Sequence, residues 1–255
     1  MESLQITDKT CWVVDAGFLS YQPAFDLQRR LVAARKTGAI PDVLLLCEHP
    51  HVITLGRNGH SENLLASQHL LRQMNVEFHP SDRGGDITYH GPGQIVGYPI
   101  LNLAAIRRDV AWYMRQLEEI MIRATAEFGI AAVRCPGMTG VWVDRANARA
   151  ENDPTTSEKL AAIGVHLSRW VTSHGFAYNV STDLRYFDLI VPCGLQGKRA
   201  ISLEALLGRT VRREEISPLI VRHFADVFSR DLQFISLDAL EQTLHEQETP
   251  AHATA

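Results

Sequence analysis

The residues best suited to chemistry begin with the run from 83 to 94, RGGDITYHGPGQ. Paired glycines let a backbone approach a ligand closely and leave amide groups able to bind it. Arg83 at the edge of this loop could hold a carboxylate or a phosphate, and His90 ends the short strand that follows. A lone Gly-Gly pair is more often a bulge or a hairpin. Here the glycine pair occurs together with Arg83, His90 and a second glycine turn. This combination predicts a site wall that faces a ligand.

Two further segments place a titratable residue among small apolar neighbours. Lys159 opens the apolar run KLAAIGV, where partial burial makes the cation less well solvated and favours proton transfer by the amine. A solvated lysine at a strand end is the alternative interpretation. His174 and Gly175 lie inside the β-like run 173–179, and this pattern fits a structural histidine as well as a functional one.

The four cysteines differ in their surroundings. Cys11 and Cys47 lie in apolar runs and are expected to be small core residues. Cys193 lies in the turn Pro-Cys-Gly at 192–194, where a sulfur atom is more readily presented than packed. Cys135 also precedes a proline, so the local pattern separates these two only weakly.

A cysteine becomes a nucleophile when a nearby cation stabilises its thiolate. The sequence supplies Lys159, His174 and His90 as candidates for the partner of Cys193. Spacing along the chain does not decide which of the three is close in space.

Composition excludes several classes of function. The chain has 255 residues and a formal net charge of −4, without the basic field typical of nucleic-acid-binding proteins. No apolar stretch approaches the ~20 residues needed to cross a bilayer, and the N-terminus lacks a signal or transit pattern. The spacing of its Cys and His residues matches no metal site, and no G-x-G-x-x-G, P-loop, H-E-x-x-H or G-x-S-x-G motif is present. We therefore expect a cytoplasmic protein with reduced cysteines, no cofactor, no metal, no nucleic acid and no membrane contact.

Strand and helix patterns alternate along the chain. Strands are predicted at 11–15, 42–47, 52–55, 76–79, 86–90, 95–101, 130–134, 139–143, 160–167 and 171–180. Helices are predicted after Ser20 and over 62–74, 109–128, 202–207 and 217–230. Several strands follow one another directly, which favours an α/β (α+β) domain with a mixed sheet flanked by helices. The polar tail, 241–255, is expected to be disordered.

Four of these segments, in this order, resemble the octanoyltransferases of lipoate biosynthesis, also called lipoyl(octanoyl) transferases. The matching residues are RGGDITYHGPGQ at 83–94, KLAAIG at 159–164, HGFAYN at 174–179 and PCG at 192–194. The stretches EHP at 48–50 and TLGR at 54–57 are also similar to that family. The resemblance covers the chain from about residue 11 to about residue 234.

The resemblance implies a catalytic domain over 1–240, like that of biotin and lipoate protein ligases, with a small C-terminal lobe from about residue 185. It implies that Cys193 takes the octanoyl group from acyl carrier protein as a thioester. The acceptors would be lysines on the lipoyl domains of 2-oxoacid dehydrogenases and on the H protein of glycine cleavage. Lys159 would serve as general acid and base.

The resemblance also assigns an acyl site by position. The implied binding residues are Arg83, Gly84, Gly85, Asp86, Ile87, Thr88, Tyr89, His90, Ala162, Ile163, Gly164, Gly175, Phe176 and Ala177. Backbone amides near Gly164 or Gly175 could stabilise a tetrahedral oxyanion.

Three alternatives stay open. An ATP-dependent lipoate or biotin ligase would need no nucleophilic cysteine and would survive replacement of Cys193. A thiol hydrolase would pair Cys193 with His174 or His90 and release free octanoate. A non-catalytic module would bind carrier protein without forming an acyl-enzyme.

Overall fold

The computed structural model describes residues 7–144, 157–191 and 198–248. These residues form an eight-stranded mixed sheet with helices on both faces and a separate three-stranded sheet. The mixed α/β architecture predicted from the sequence is confirmed. The predicted nucleophile Cys193 lies outside the described residues.

The large sheet runs through most of the described chain. Its strands are β1 (Thr10–Phe18), β2 (Asp42–Glu48), β6 (Gln94–Ile100), β7 (Val133–Cys135), β8 (Met138–Asp144), β9 (Ser157–Ser168), β10 (Val171–Asn179) and β11 (Asp231–Phe234). The smaller sheet contains β3 (Val52–Leu55), β4 (Glu77–Pro80) and β5 (Ile87–His90). The strand orders are β11-β1-β2-β6-β10-β9-β8-β7 and β4-β3-β5. Only the pairs β1–β11, β1–β2 and β3–β4 are parallel among these strands.

Helices cover the two faces of the large sheet. The helices of the described chain are α1 (Tyr21–Thr37), α2 (Gln68–Gln73), α3 (Leu103–Ile106), α4 (Val110–Ala126), α5 (Leu203–Leu207), α6 (Arg213–Phe228) and α7 (Leu237–Glu248). Of these, α2 packs instead on the small sheet through Leu71. Helices α1 and α7 pack on one face through residues such as Leu31 and Leu240. On the other face, α4 and α6 form the larger core through residues such as Leu117 and Phe224. The C-terminal elements thus pack on the same sheet, and the boundary near residue 185 stays a prediction.

Most predicted elements lie near where the sequence placed them. The strand predicted at 130–134 begins only at Val133, and α3, β11 and α7 were not predicted. Two further predictions also differ from the structure. The helix predicted over 62–74 is a short 3₁₀ turn at Ser61–Asn63 followed by α2. The expectation of a disordered tail is wrong for residues 241–248, which continue α7. Leu240 and Leu244 of this helix are buried against the α1 face, so a hydrophobic stripe stabilises a segment of polar composition.

A bulge at the start of β9 breaks the alternation of its side chains. The register between β8 and β9 skips Leu160. Leu160 and Ala161, although adjacent, both pack into the core on the α4 face. Because a bulge re-aims the residues beside it, Lys159 shares a cavity wall with Ala162 instead of alternating away from it.

Candidate active site

A cavity of about 670 Å³ lies over β9 and β10. Of the predicted binding residues, all except Tyr89 line this cavity, and so does Lys159. Sequence reasoning therefore brought together segments that are 70 or more residues apart. It did not select the other lining residues, which are Tyr21, Asn58, His60, Asn63, Val96, Tyr98, Val110, Met114, Gly137, Met138, Thr139 and Val165. Val165 belongs to the run KLAAIGV but was not itself singled out, and the others lie outside the segments that the sequence had marked.

Tyr89 lies outside the cavity because its side chain packs in the core of the small sheet. Its fully buried ring stacks on Tyr186 with centroids 5.1 Å apart, and its hydroxyl lies 2.7 Å from His51 Nδ1. This contact joins the small sheet to the segment before residue 191. The period of two in a strand could have predicted that Tyr89 faces away from His90.

The glycine loop is fastened to β9 by its backbone. Gly84 N donates to the carbonyl of Val165 at 2.8 Å. A Cβ on Gly164 would lie 2.8 Å from the carbonyl oxygen of Gly84, closer than real Cβ contacts allow. The glycines of both motifs thus permit close approach of loop and strand.

Arg83 holds this loop in place. Its side chain is 8% exposed and donates to the Thr54 carbonyl at 2.7 Å, to Thr54 Oγ1 at 2.9 and 3.1 Å and to the carbonyl of Gly84 at 3.1 Å. These bonds give Arg83 a positioning role, and its expected role in holding a ligand carboxylate or phosphate stays a prediction. The guanidinium ties β3 to the loop that forms the cavity wall.

Lys159 faces the cavity at the bulge. Its Nζ lies 4.7 Å from the centroid of the buried Trp142 ring, within the range of a cation–π contact. Its backbone pairs with the segment that follows Cys193 in sequence: Lys159 N donates to Arg199 O at 2.8 Å, and Ile201 N donates to Lys159 O at 2.9 Å. The cavity continues past Lys159 toward Lys198.

The segment that precedes Cys193 is fixed at the same site. Val191 N donates to the carbonyl of Asn63 at 2.8 Å. Asp86 in turn accepts hydrogen bonds from Asn63 Nδ2 at 2.5 Å and from His60 N at 3.1 Å. The aspartate of the RGGD motif therefore positions the loop to which the chain before Cys193 is bonded.

His90 is a neutral group in the cavity wall. It donates from Nδ1 to Gln94 Oε1 at 2.8 Å, and Gln94 donates to Asn179 Oδ1 at 2.9 Å. Burial, with His49 and Arg83 nearby, lowers the pKa of His90 to about 3. The ring therefore offers an unprotonated Nε2 at neutral pH and is a weak base.

His49 and Tyr98 form a second buried polar pair below the cavity. His49 donates from Nδ1 to the carbonyl of Leu19 at 2.5 Å and accepts from the Tyr98 hydroxyl at Nε2, 2.7 Å away. Burial lowers the pKa of His49 to about 4, and burial raises the pKa of Tyr98. Both groups are therefore neutral, and Tyr98 is one of the residues that line the cavity.

His174 combines unusual backbone with a carboxylate partner. Its φ of 56° is in the left-handed region, its N–H donates to Gln28 Oε1 at 2.8 Å, and its Nε2 donates to Asp82 Oδ1 at 2.6 Å. Burial lowers the pKa of His174 although Asp82 opposes this, and the bond to His174 lowers the pKa of Asp82. The strained backbone places this ring at the end of the cavity away from Lys159.

The three cysteines that the structure describes are buried and unoxidised thiols: Cys11, Cys47 and Cys135. Burial raises the pKa of Cys11 and of Cys47, so both are poor nucleophiles and the prediction of core residues is confirmed for them. Cys135 packs in β7 at 1% exposure, which separates it from the role proposed for Cys193.

Within residues 7–144, 157–191 and 198–248, no cluster of His, Cys, Asp or Glu could hold a metal ion. None of the helices in these ranges is long and apolar enough to cross a membrane.

The sheet, its covering helices and the cavity define the fold of lipoate protein ligases. A putative lipoate protein ligase from T. acidophilum with bound lipoic acid has a TM-score of 0.67 at 12% identity, covering 93% of this chain and 94% of that one. P. falciparum LipL1 in complex with lipoate has a TM-score of 0.69 at 14% identity, covering 94% of this chain and 69% of that one. At such identities the likeness establishes the fold alone.

Sequence comparison establishes the family. The chain belongs to the lipoyl protein ligase A/B catalytic domain family, which matches residues 20–225. A relative named Octanoyltransferase from Solibacter usitatus is 50% identical over 224 residues, 88% of this chain and 96% of the relative. A second relative with this name, from Koribacter versatilis, is 47% identical over 244 residues, 94% of this chain and 93% of the relative. The resemblance to octanoyltransferases found in the sequence is confirmed.

Proposed function

We propose that the chain transfers an octanoyl group from acyl carrier protein to the ε-amine of a lysine on a lipoyl domain, through a thioester on Cys193. The observation that carries this proposal is that the chain on each side of Cys193 is bonded to a residue that lines the cavity, Asn63 before it and Lys159 after it. Val191 is bonded to the Asn63 loop, and Arg199 and Ile201 are bonded to the backbone of Lys159 itself. Relatives named Octanoyltransferase at 47–50% identity support the same reaction.

In the first half-reaction, the Cys193 thiolate attacks the carbonyl carbon of the octanoyl thioester. The C–S bond to the carrier breaks, and the carrier thiolate takes a proton from the Lys159 ammonium. The products are an octanoyl-enzyme, a carrier thiol and a neutral Lys159. A cation beside the cysteine favours the thiolate, which is the reactive form.

In the second half-reaction, the neutral acceptor amine attacks the octanoyl thioester on Cys193. An amide bond forms, the C–S bond to Cys193 breaks, and Lys159 takes the proton that the amine loses. This restores the thiolate and ammonium pair, so no metal or nucleotide enters the balance. One lysine thus serves as acid in the first half and as base in the second.

The cavity suits a linear acyl chain. Its volume of about 670 Å³ falls within the ~300–1,000 Å³ typical of small-molecule pockets. Ala162, Gly164, Gly175 and Ala177 form its floor, where small side chains leave room above the sheet. His90, Tyr98 and His174 line another part of the cavity with neutral polar groups.

The rival hydrolase requires a histidine base. Burial lowers the pKa of His90 to about 3 and also lowers the pKa of His174, so both are weaker proton acceptors than an ordinary histidine. Lys159 is the better candidate. The natural acceptors, lipoyl domains and the H protein, stay a prediction. The cytoplasmic location also stays a prediction.

The decisive experiment is intact-protein mass spectrometry after mixing with octanoyl-acyl carrier protein, without ATP or acceptor. We expect a gain of about 126 Da, one octanoyl group, that disappears in Cys193→Ala and is discharged by a lipoyl domain. Cys135→Ala is the matched control and should retain the adduct. No adduct, with acceptor modified only when octanoate and ATP are supplied, would identify a ligase instead.

A further inference from the structure

A gap in the backbone pairing of β9 lies inside the cavity wall. The β8–β9 ladder ends where Val141 pairs with Ala161. On the same edge of β9, the next backbone bond runs from Gly84 N to Val165 O at 2.8 Å. Between these two points no strand of the described chain lies beside β9.

The peptide groups of Ile163 point into this gap. Backbone groups of successive residues in a strand point to opposite edges. Because the Val165 carbonyl is directed at Gly84, the groups of Gly164 are directed at β10, where Gly164 is paired with Gly175. The N–H and C=O of Ile163 are then directed outward again. The amides expected to stabilise an oxyanion at Gly164 and Gly175 are therefore used within the sheet.

A buried carboxylate keeps the gap open. Gly140 of β8 has a φ of 122°, and its N–H donates to Glu118 Oε1 at 3.1 Å. Glu118 is fully buried, and its Oε2 accepts from Arg115 at 2.7 Å and from Arg134 at 3.1 Å. β8 thus turns toward α4 instead of following β9.

We propose that this gap binds an amide of the pantetheine arm that carries the octanoyl thioester. The amide N–H would donate to the Ile163 carbonyl, and the amide carbonyl would accept from the Ile163 N–H, as an added strand does. The inference rests on the proposed transfer reaction. A hydrocarbon cannot hydrogen-bond to this peptide group, so an amide that pairs with it is bound in preference to a hydrocarbon.

The dimensions of the gap favour a single thin chain over a folded partner. Ala161 and Val165 are four residues apart, so the open edge is about 13 Å long at ~3.3 Å per residue. Val110 and Met114 of α4 and Met138 of β8 line the cavity beside it and leave apolar walls. An extended arm with one or two amides suits this space, whereas a hairpin of the acceptor would bring a second strand.

The first test compares two small donors of equal leaving-thiol type. Octanoyl-N-acetylcysteamine has the first amide of the arm, and octanoyl-2-mercaptoethyl acetate replaces its N–H by an ester oxygen. We expect kcat/KM for acylation of Cys193 to be roughly 3–10-fold higher with the amide. Equal values within twofold, with the octanoyl-enzyme still forming, would overturn the proposal and leave the transferase intact. No acylation by either donor or by octanoyl-acyl carrier protein would refute both.

The second test removes the N–H of Ile163 without removing the strand. Proline is tolerated where a strand N–H makes no ladder bond, so Ile163→Pro should fold, and Ile163→Ala is the matched control that keeps the N–H. We expect kcat/KM for the amide donor to be roughly 3–10-fold lower in the proline variant than in the alanine variant. Equal values in the two variants would overturn the proposal. Methyl methanethiosulfonate, too small to need the gap, should modify Cys193 at the same rate in both.

A third measurement on the unaltered protein does not depend on any variant folding. The amide hydrogen of Ile163 should exchange at least ~10-fold more slowly when the unreactive thioether S-octylpantetheine is bound. Unchanged exchange at saturation would refute the pairing. Slower exchange with an apo lipoyl domain, but not with the thioether, would assign the gap to the acceptor instead.

Discussion

The buried neutral histidines make the stability of the fold depend on pH. A histidine in the unfolded chain has a pKa near 6.5, whereas His90 and His49 have pKa values of about 3 and about 4 in the fold, both lowered by burial. Between the pKa of a histidine in the fold and its pKa in the unfolded chain, the unfolded chain binds more protons than the folded one. Stability is therefore greatest above pH 6.5 and falls as the pH drops toward 4.

The size of the stability loss follows from the difference between the pH and the pKa of histidine in the unfolded chain. At pH 5 this distance is about 1.5 pH units, which corresponds to about 2 kcal/mol for each histidine and about 4 kcal/mol for the two. His174, whose pKa is also lowered by burial, changes stability in the same direction. Urea unfolding at pH 7.5 and at pH 5.0 measures the loss directly.

Single replacements isolate each contribution. His90→Gln should reduce the loss of unfolding free energy between pH 7.5 and pH 5.0 by about 2 kcal/mol, whatever its effect on stability at pH 7.5. His69→Gln, at an exposed position on α2, is the control and should leave the loss unchanged. If His90→Gln loses as much stability as the unaltered protein, then His90 is not held neutral by the fold and the reasoning fails.

Three other perturbations test how the cavity is built. Glu118→Ala leaves the Gly140 N–H without its acceptor and should lower the free energy of unfolding in urea by about 2–3 kcal/mol. Glu118→Gln keeps an acceptor and should lower it by about half of that; equal losses in the two variants would contradict this role of Glu118. Gly175→Ala places a Cβ 2.2 Å from the carbonyl oxygen of Gly97 and should cost about 3 kcal/mol or abolish soluble expression, so near-normal stability would refute the packing. Ala162→Leu fills the floor beside Lys159 and should shift the ratio of kcat/KM for hexanoyl over octanoyl donors upward by about tenfold; an unchanged ratio would place the acyl chain elsewhere.

Much of the site could be predicted because its chemistry is concentrated in short motifs. The run 83–90 carries both its glycines and its histidine within one loop and one strand, and seven of its eight residues line the cavity. Lys159 was recognisable as a charge at the start of an apolar run. The roles within the motif were harder to predict, because the partner of Arg83 is Thr54 on another strand.

The features that were missed depend on contacts distant in sequence. KLAAIG gives no sign of the bulge at Leu160, which becomes visible only when β8 supplies the register. Glu118 looks like one more polar residue of an amphipathic helix, and its burial follows from Gly140 and Arg134, which lie 22 and 16 residues away. Residues 241–248 are polar in composition, yet α7 is held by leucines that contact α1.

The same contacts connect the cavity to the chain on both sides of the proposed nucleophile. Asp86 fixes Asn63, Asn63 fixes Val191, and Lys159 is bonded through its backbone to Arg199, so the chain on both sides of Cys193 is attached to residues of the cavity. A donor that pairs with β9 four residues beyond Lys159 would lie on the strand that also orients this lysine. Because catalysis depends on distances of a few tenths of an ångström, attaching the cavity wall and the segment after Cys193 to one strand reduces the number of independent motions between them. This explains why the glycines of β9 and β10, which carry no reactive group, belong to the same constellation as the cysteine and the lysine.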